Sequence, residues 1–172
     1  MTVTYRSAEL ADAPALSRFF AASFTETFGH LYVPEDLASF LAGKDVAAWE
    51  AEIANPALAI RVGIDGEGEL SALAKVGPVS LPVEPAGPAA ELRQLYVGKS
   101  LHGSGVAAAL MEWVFETARE RGAAECYLSV YVDNHRARRF YERYGFTYVG
   151  PYSFMVGDHA DEDHIMRLSL RG

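Results

Sequence analysis

Cysteine is nearly absent. Cys126 is the only one in 172 residues, so no intramolecular disulfide can form and nothing calls for an oxidising compartment. The cytoplasm fits. Cations are also scarce: Lys+Arg number 15 against 23 Asp+Glu, a net charge of −8 at pH 7, and so acidic a surface repels phosphate backbones. Nucleic acid is therefore not the expected partner, and a small cationic molecule is. No stretch approaches the roughly 18 apolar residues of a membrane span, and the most apolar helix candidate, Gly105 to Phe115, is interrupted by Glu112. The opening stretch, Met1 to Pro14, carries polar residues where a signal peptide needs an apolar core. Neither a membrane segment nor an export signal is expected.

What is present is an ordinary globular composition, 50% hydrophobic and 22% charged, in a chain long enough to bury one sizeable core. A single domain over 1–172 is expected, as a monomer or homodimer. Residues Thr2 to Tyr5 alternate like a strand, and Asp12 opens a helical run with Ala15, Leu16, Phe19 and Phe20 on one face. Short helices continue to Asn55, with Pro34 at a first helical position and Asp45 heading Val46 to Ile53. Ala57 to Ile64 and Leu70 to Val76 flank Asp65-Gly66-Glu67-Gly68, which is hairpin chemistry. Four prolines between Gly77 and Pro88 make that stretch a connection, and Glu91 to Val97 reads as the next strand. A helix runs from Gly105 to near Gly122, a strand from Cys126 to Val132, and a helix capped by Asn134 ends at Gly145. Phe146 to Val149 and Ile165 to Leu170 are expected as two last strands, separated by a loop holding Gly150-Pro151 and the acidic run Asp158 to Asp163. The order predicts an α/β or α+β fold, a mixed sheet with helices on both faces.

The most informative stretch is Leu92 to Ala109, where a strand passes through Gly98 into His102-Gly103-Ser104-Gly105-Val106-Ala107 at a helix start. Free amides at a helix N-terminus, with glycines that carry no Cβ, suit a phosphate. Gly98-Lys99-Ser100 is not a Walker A loop, because Arg93 stands where that motif needs its first glycine. Gly103 to Ala108 fits G-x-G-x-x-A formally, but five residues separate it from Val97, whereas a dinucleotide turn comes almost at once after its strand. Ser104 is not a nucleophile elbow, whose glycines would stand at 102 and 106, where this chain has His102 and Val106.

Leu95-Tyr96-Val97, the loop, and His102-x-x-Gly105-x-Ala107 resemble the acetyl-CoA motif of the GNAT N-acetyltransferase superfamily, with His102 in place of the usual Gln or Arg. Asn134, Ala137 and Phe140-Tyr141-Glu142-Arg143-Tyr144-Gly145-Phe146 resemble its second landmark, N-x-x-A-x-x-x-Y-E-x-x-G-F. The resemblance covers Leu70 to Leu170, with Thr4 to Leu16 similar to the family's first strand and helix. It implies a sheet of about seven strands splayed between the fourth and fifth, and an acetyl-CoA-dependent transfer to an amine. It further implies that the backbone of Leu95 and Val97 bonds the thioester end and pantetheine arm, and that Asn134 bonds the arm. The amides of Gly103, Ser104, Gly105, Val106 and Ala107 would cradle the pyrophosphate, with His102 beside it. Arg136, Arg138, Arg139 and Arg143 add a basic patch for an anionic cosubstrate.

Attack of an amine on a thioester needs an oxyanion donor, an acid for the thiolate and a base for the ammonium. The resemblance gives the Leu95 N–H and the Tyr141 hydroxyl the first two roles. Glu91 is the candidate base, and strict alternation along its strand would place Glu91, Arg93, Leu95 and Val97 on one face. No metal is expected, since His159 and His164 lack a ligand frame. His30 and His135 have no useful partner spacing either. Phe24 to Phe28 and Pro34 to Leu37 resemble, more weakly, the N-terminal helices of the bacterial polyamine acetyltransferase branch. With Glu26, Glu35 and Asp36 nearby, a polyamine is the first acceptor expected. A peptide or amino-acid amine is the alternative, as is a non-catalytic CoA-binding module. Asp158, Asp161, Glu162 and Asp163, four acids in six residues, could attract a polycation, but the run reads first as a hydrated acidic loop.

Overall fold

A computed structural model describes residues 2–171; Met1 and Gly172, the ends of the expected domain, lie outside the described residues. The elements run β1 (Thr4–Ser7), α1 (Ala13–Phe28), α2 (Pro34–Ala42), α3 (Val46–Ala54), β2 (Ala59–Ile64), β3 (Leu70–Gly77) and β4 (Ala89–Val97). They continue with α4 (Val106–Glu120), β5 (Glu125–Tyr131), α5 (His135–Arg143), β6 (Thr147–Val156) and β7 (His159–Ser169). The strands form one seven-stranded sheet in the order β1-β2-β3-β4-β5-β7-β6. Every neighbouring pair is antiparallel except β4 and β5.

Local chemistry sets the boundaries. The Asp45 carboxylate accepts from the Ala48 amide at 2.9 Å and caps α3; the Asn134 side chain accepts from the Ala137 amide at 3.3 Å and caps α5. Gly145, at φ +99°, takes the left-handed turn that lets the chain leave α5 for β6. Side chains on the two sheet faces bury two cores. Val106, Leu110, Met111 and Val114 of α4 pack on Ala72, Ala74, Leu92 and Leu128. Phe20 and Phe24 of α1 and Trp49 of α3 pack on Val62 and Leu73 across the sheet.

Two expectations need correction. The last two strands are not short pieces around a loop. They form one long hairpin closed at Gly157-Asp158, so Gly150, Pro151 and the acids from Asp161 to Asp163 lie inside strands. Pro151 is tolerated because β6 is an edge strand with no neighbour beyond it, and Gly150 sits at a bulge in the pairing. The alternation along β4 also breaks. Lys75 pairs with Gln94 but Val76 with Leu92, which leaves Arg93 as an extra residue. Leu92, Leu95 and Val97 therefore share the α4 face, while Glu91 lies on the opposite face, toward which Tyr96 also packs.

Phe20 is 1% exposed, with ring centroids 5.3 Å from Tyr96, 5.7 Å from Phe24 and 6.0 Å from Trp49. It ties α1 to the site-bearing end of β4. Phe20→Ala should cost about 3–5 kcal/mol in urea unfolding. A loss below about 1 kcal/mol would mean that this core is not what seats α1 on the sheet.

Candidate active site

The parallel ladder between β4 and β5 holds only from Ala89–Glu125 to Glu91–Tyr127, after which the strands part. The backbone beyond Glu91 has a definite polarity. Gly98 N–H donates to Ser71 O at 2.8 Å toward β3, and along an antiparallel pair the groups alternate sides. Leu95 and Val97 therefore turn their N–H and C=O away from β3 into the gap, while Tyr96 turns its own toward β3. Val97 O is already engaged by His102 Nε2 at 2.9 Å.

At the mouth of the gap the loop 98–105 feeds α4. Gly103 and Gly105 have φ of +79° and +88°, and a Cβ on either would point into open space. The amides of Gly103, Gly105, Val106 and Ala107 donate to no backbone carbonyl among the described residues, whereas Ser104 spends its amide on Leu101 O at 3.2 Å. The Ser104 hydroxyl donates to the same oxygen. The free amides at the positive end of α4 thus suit an anion such as a diphosphate, with Ser104 buttressing the turn. Arg136 Nη1 lies 2.5 Å from His102 Nδ1. A guanidinium can only donate, so the ring proton sits on Nε2 and His102 links the end of β4 to a cation on α5. Arg138 is committed to Val132 O at 2.8 Å, and Arg143 lies over the Phe140 ring.

Tyr141 packs edge-on to Phe140 and Phe146 on the α4 face. Its hydroxyl bonds to no described residue. Burial, and then Cys126, holds its pKa above the ordinary phenol range, and burial first, then Tyr141, raises that of Tyr96. Both tyrosines therefore stay protonated and available as donors. Cys126 is fully buried and its thiol is pushed up to about 12, chiefly by burial, so it is no nucleophile. Glu91, 7% exposed, is held through Oε1 by the Ser80 amide at 2.8 Å and hydroxyl at 2.9 Å. Arg93 bonds Pro78 O instead of pairing with it.

The acids expected at the acceptor mouth tie elements together: Glu26 pairs with Lys99 at 3.6 Å, and Asp36 accepts from the Asp158 amide at 3.1 Å. Asp161 and Asp163, expected in a hydrated loop, lie instead within β7. Both are buried, and the Tyr32 hydroxyl donates to Asp161 at 2.5 Å. His159, which had no assigned partner, sits 3.2 Å from Asp161. The signal was the alternation Asp161-x-Asp163-x-Ile165, which extends the expected strand backward. Among the described residues no helix is long and apolar enough to cross a membrane, and no group of three or more His, Cys, Asp or Glu is arranged to hold a metal.

The model of the acetyltransferase (GNAT) family matches residues 14–146. An uncharacterised N-acetyltransferase of Lactobacillus delbrueckii subsp. lactis is 28% identical over 163 residues, 92% of each chain. One of Mycobacterium tuberculosis is 43% identical over 76 residues, 44% of this chain and 49% of its own, so the chain spans about half the length of that relative. Among solved structures, a PaiA N-acetyltransferase of Thermoplasma acidophilum in complex with coenzyme A superposes with a TM-score of 0.78 at 18% identity, covering 98% of this chain and 99% of its own. The spermidine/spermine N-acetyltransferase SpeG of Vibrio cholerae gives 0.67 at 19%, covering 98% and 94%. The fold is shared.

The Asp163 carboxyl is pushed up to about 7 by burial first and Asp161 second, with Ser129 pulling it down. An unfolded aspartate titrates at about 3.9. Between those values the folded chain holds a proton the unfolded chain has lost, so stability falls as pH rises through that window. Asp163→Asn should therefore stabilise the protein at pH 8 by on the order of 1–3 kcal/mol, less than the full shift because some solvent reaches the group. The gain should vanish below about pH 4. Denaturant titrations at both pH values check this, and a pH-independent effect would contradict it.

Proposed function

Because the chain belongs to the GNAT acetyltransferase family, we propose that it is an acetyl-CoA-dependent N-acetyltransferase acting on a primary amine of a small cationic acceptor, polyamines first. One observation carries this reading: the β4–β5 gap, edged by the unpaired backbone of Leu95, opens beside the free amides of the α4 N-terminus. An extended amide-bearing arm suits such an edge, and a diphosphate suits those amides. The residues present fit the cosubstrate. Bound acetyl-CoA would supply a thioester open to attack by an amine.

On this reading the amides of Gly103, Gly105, Val106 and Ala107 hold the pyrophosphate, with Ser104 keeping the turn and His102 and Arg136 adding a donor face. Val97 N–H and the Asn134 amide nitrogen, whose Oδ1 is used in the cap, remain to bond the arm. Leu95 N–H meets the charge that develops on the carbonyl oxygen. The Tyr141 hydroxyl protonates the departing thiolate. Glu91, fixed by Ser80 on the face opposite Leu95, takes the proton of the amine through water, since its second oxygen is uncommitted.

The choice of acceptor rests on charge. A net −8 draws cations, and α2, which carries Glu35 and Asp36, stands beside the β6–β7 hairpin, while Glu26 on α1 is met by Lys99. The lone buried Cys126 suits a reducing compartment, which we take to be the cytoplasm.

Thiol release from acetyl-CoA with spermidine, a lysine-containing peptide and an aminoglycoside tests the assignment. Spermidine should be used first, with a KM that rises with salt. Efficient turnover of the peptide beside an inert spermidine would move the protein to peptide acetylation. Gly105→Asp should remove acetyl-CoA binding in isothermal titration, because a carboxylate would enter the anion space and a side chain is strained at that φ. Unchanged affinity in the folded variant would put the cradle elsewhere. Tyr141→Phe should lower kcat by about 10²–10⁴-fold with acetyl-CoA affinity intact. Wild-type turnover would return Tyr141 to core packing alone.

A further inference from the structure

Asp161 and Asp163 stand two residues apart on β7, so both project from the face that carries Ile165. They are 5% and 6% exposed, and no lysine or arginine among the described residues pairs with either. Asp161 Oδ2 is satisfied by Tyr32. Its Oδ1 is sealed from solvent and accepts no hydrogen bond, although His159 Nε2 lies 3.2 Å away. Two buried carboxylates with an unpartnered oxygen are costly unless a cation or a proton meets them.

The groups around the pair are phenols, hydroxyls and one imidazole. Tyr96 faces Asp163 from β4, Ser129 and Tyr131 from β5, and Tyr152 stands opposite it on β6. Tyr32 and His159 attend Asp161, and Phe154 stands opposite it on β6. Aromatic walls with two carboxylates form a setting for an ammonium, which gains charge-assisted hydrogen bonds and ring contacts together. Asp163 registers with Tyr131 on β5. It therefore lies across β5 from the gap, one strand spacing of roughly 5 Å beyond it. A carboxylate so offset meets a nitrogen other than the one at the gap.

We propose that Asp161 and Asp163 form an ammonium subsite that holds the second, non-reacting nitrogen of a diamine-type acceptor while its primary amine reaches the β4–β5 gap. This rests on the acetyltransferase reading above and names the feature of the acceptor that the site selects. The nitrogens it suits are separated by roughly three or four methylenes, enough to cross the strand spacing. With the subsite empty Asp163 holds a proton near neutrality, and an arriving ammonium displaces it, so binding releases a proton.

Initial rates with 1,4-diaminobutane and with butylamine, which shares the reacting end but lacks the second nitrogen, test the subsite at saturating acetyl-CoA. The wild type should favour the diamine in kcat/KM by about 10-fold or more, and Asp163→Asn and Asp161→Asn should each remove most of that preference while leaving butylamine within about 2-fold. Calorimetry of the diamine against the protein with CoA, in buffers of different ionisation enthalpy at pH 7, should show proton release that Asp163→Asn abolishes. An unchanged preference, or an equal loss for both amines, overturns the subsite. If the wild type acetylates neither amine, the enzyme reading fails separately. The calorimetric arm still decides: diamine binding with proton release in the wild type alone supports the subsite, and binding unaffected by the variants overturns it.

Discussion

The parting of β4 and β5 after three residue pairs is the constraint on which the rest of this site depends. A sheet that opens in its middle leaves backbone donors and acceptors without a ladder, and such groups must find water or a ligand. The Arg93 bulge contributes directly, since an extra residue turns the strand and re-aims the residues from Gln94 onward. It sends Leu95 and Val97 side chains to the α4 core while their amides edge the gap, and keeps Glu91 and Tyr96 on the opposite face. Backbone chemistry in the plane of the sheet is thereby separated from side-chain chemistry on its two faces.

Charge is sorted in the same way. The protein is acidic overall, yet the short helix α5 carries four arginines, and one of them, Arg136, reaches His102 beside the α4 amides that already favour an anion. Across the sheet, buried carboxylates and phenols replace them. One chain of net −8 can in this way present a positive wall to one partner and a negative floor to another. The two walls meet at the gap, where Tyr141 comes from the α5 side and Tyr96 from the α1 side.

Much of this was legible in the sequence because local chemistry marks it. Asp45 and Asn134 cap the helices they head, Pro34 opens α2, and Gly103 and Gly105 bracket a loop only glycines enter readily. The seven strands and the opening between the fourth and fifth agree with the fold that the family resemblance implied. The bulge was not legible. Arg93 carries no local mark, and a one-residue insertion in the pairing is decided by β3. The β6–β7 hairpin was hidden for a different reason: Gly150, Pro151 and the acids all oppose a strand by propensity, and the edge position of β6 and its long pairing with β7 override it. The Ser104 amide was also misjudged, since the loop's own hydrogen bonding uses it.

The most direct test is residue-resolved hydrogen exchange in the presence and absence of acetyl-CoA. Binding in the gap should slow exchange at Leu95 and Val97 and at Gly103, Gly105, Val106 and Ala107, while Tyr96, whose amide faces β3, changes little. That alternation within a single strand is a pattern that general stabilisation does not produce. Unchanged exchange at Leu95 and Val97 under saturating acetyl-CoA, with protection elsewhere on the chain, would contradict the account.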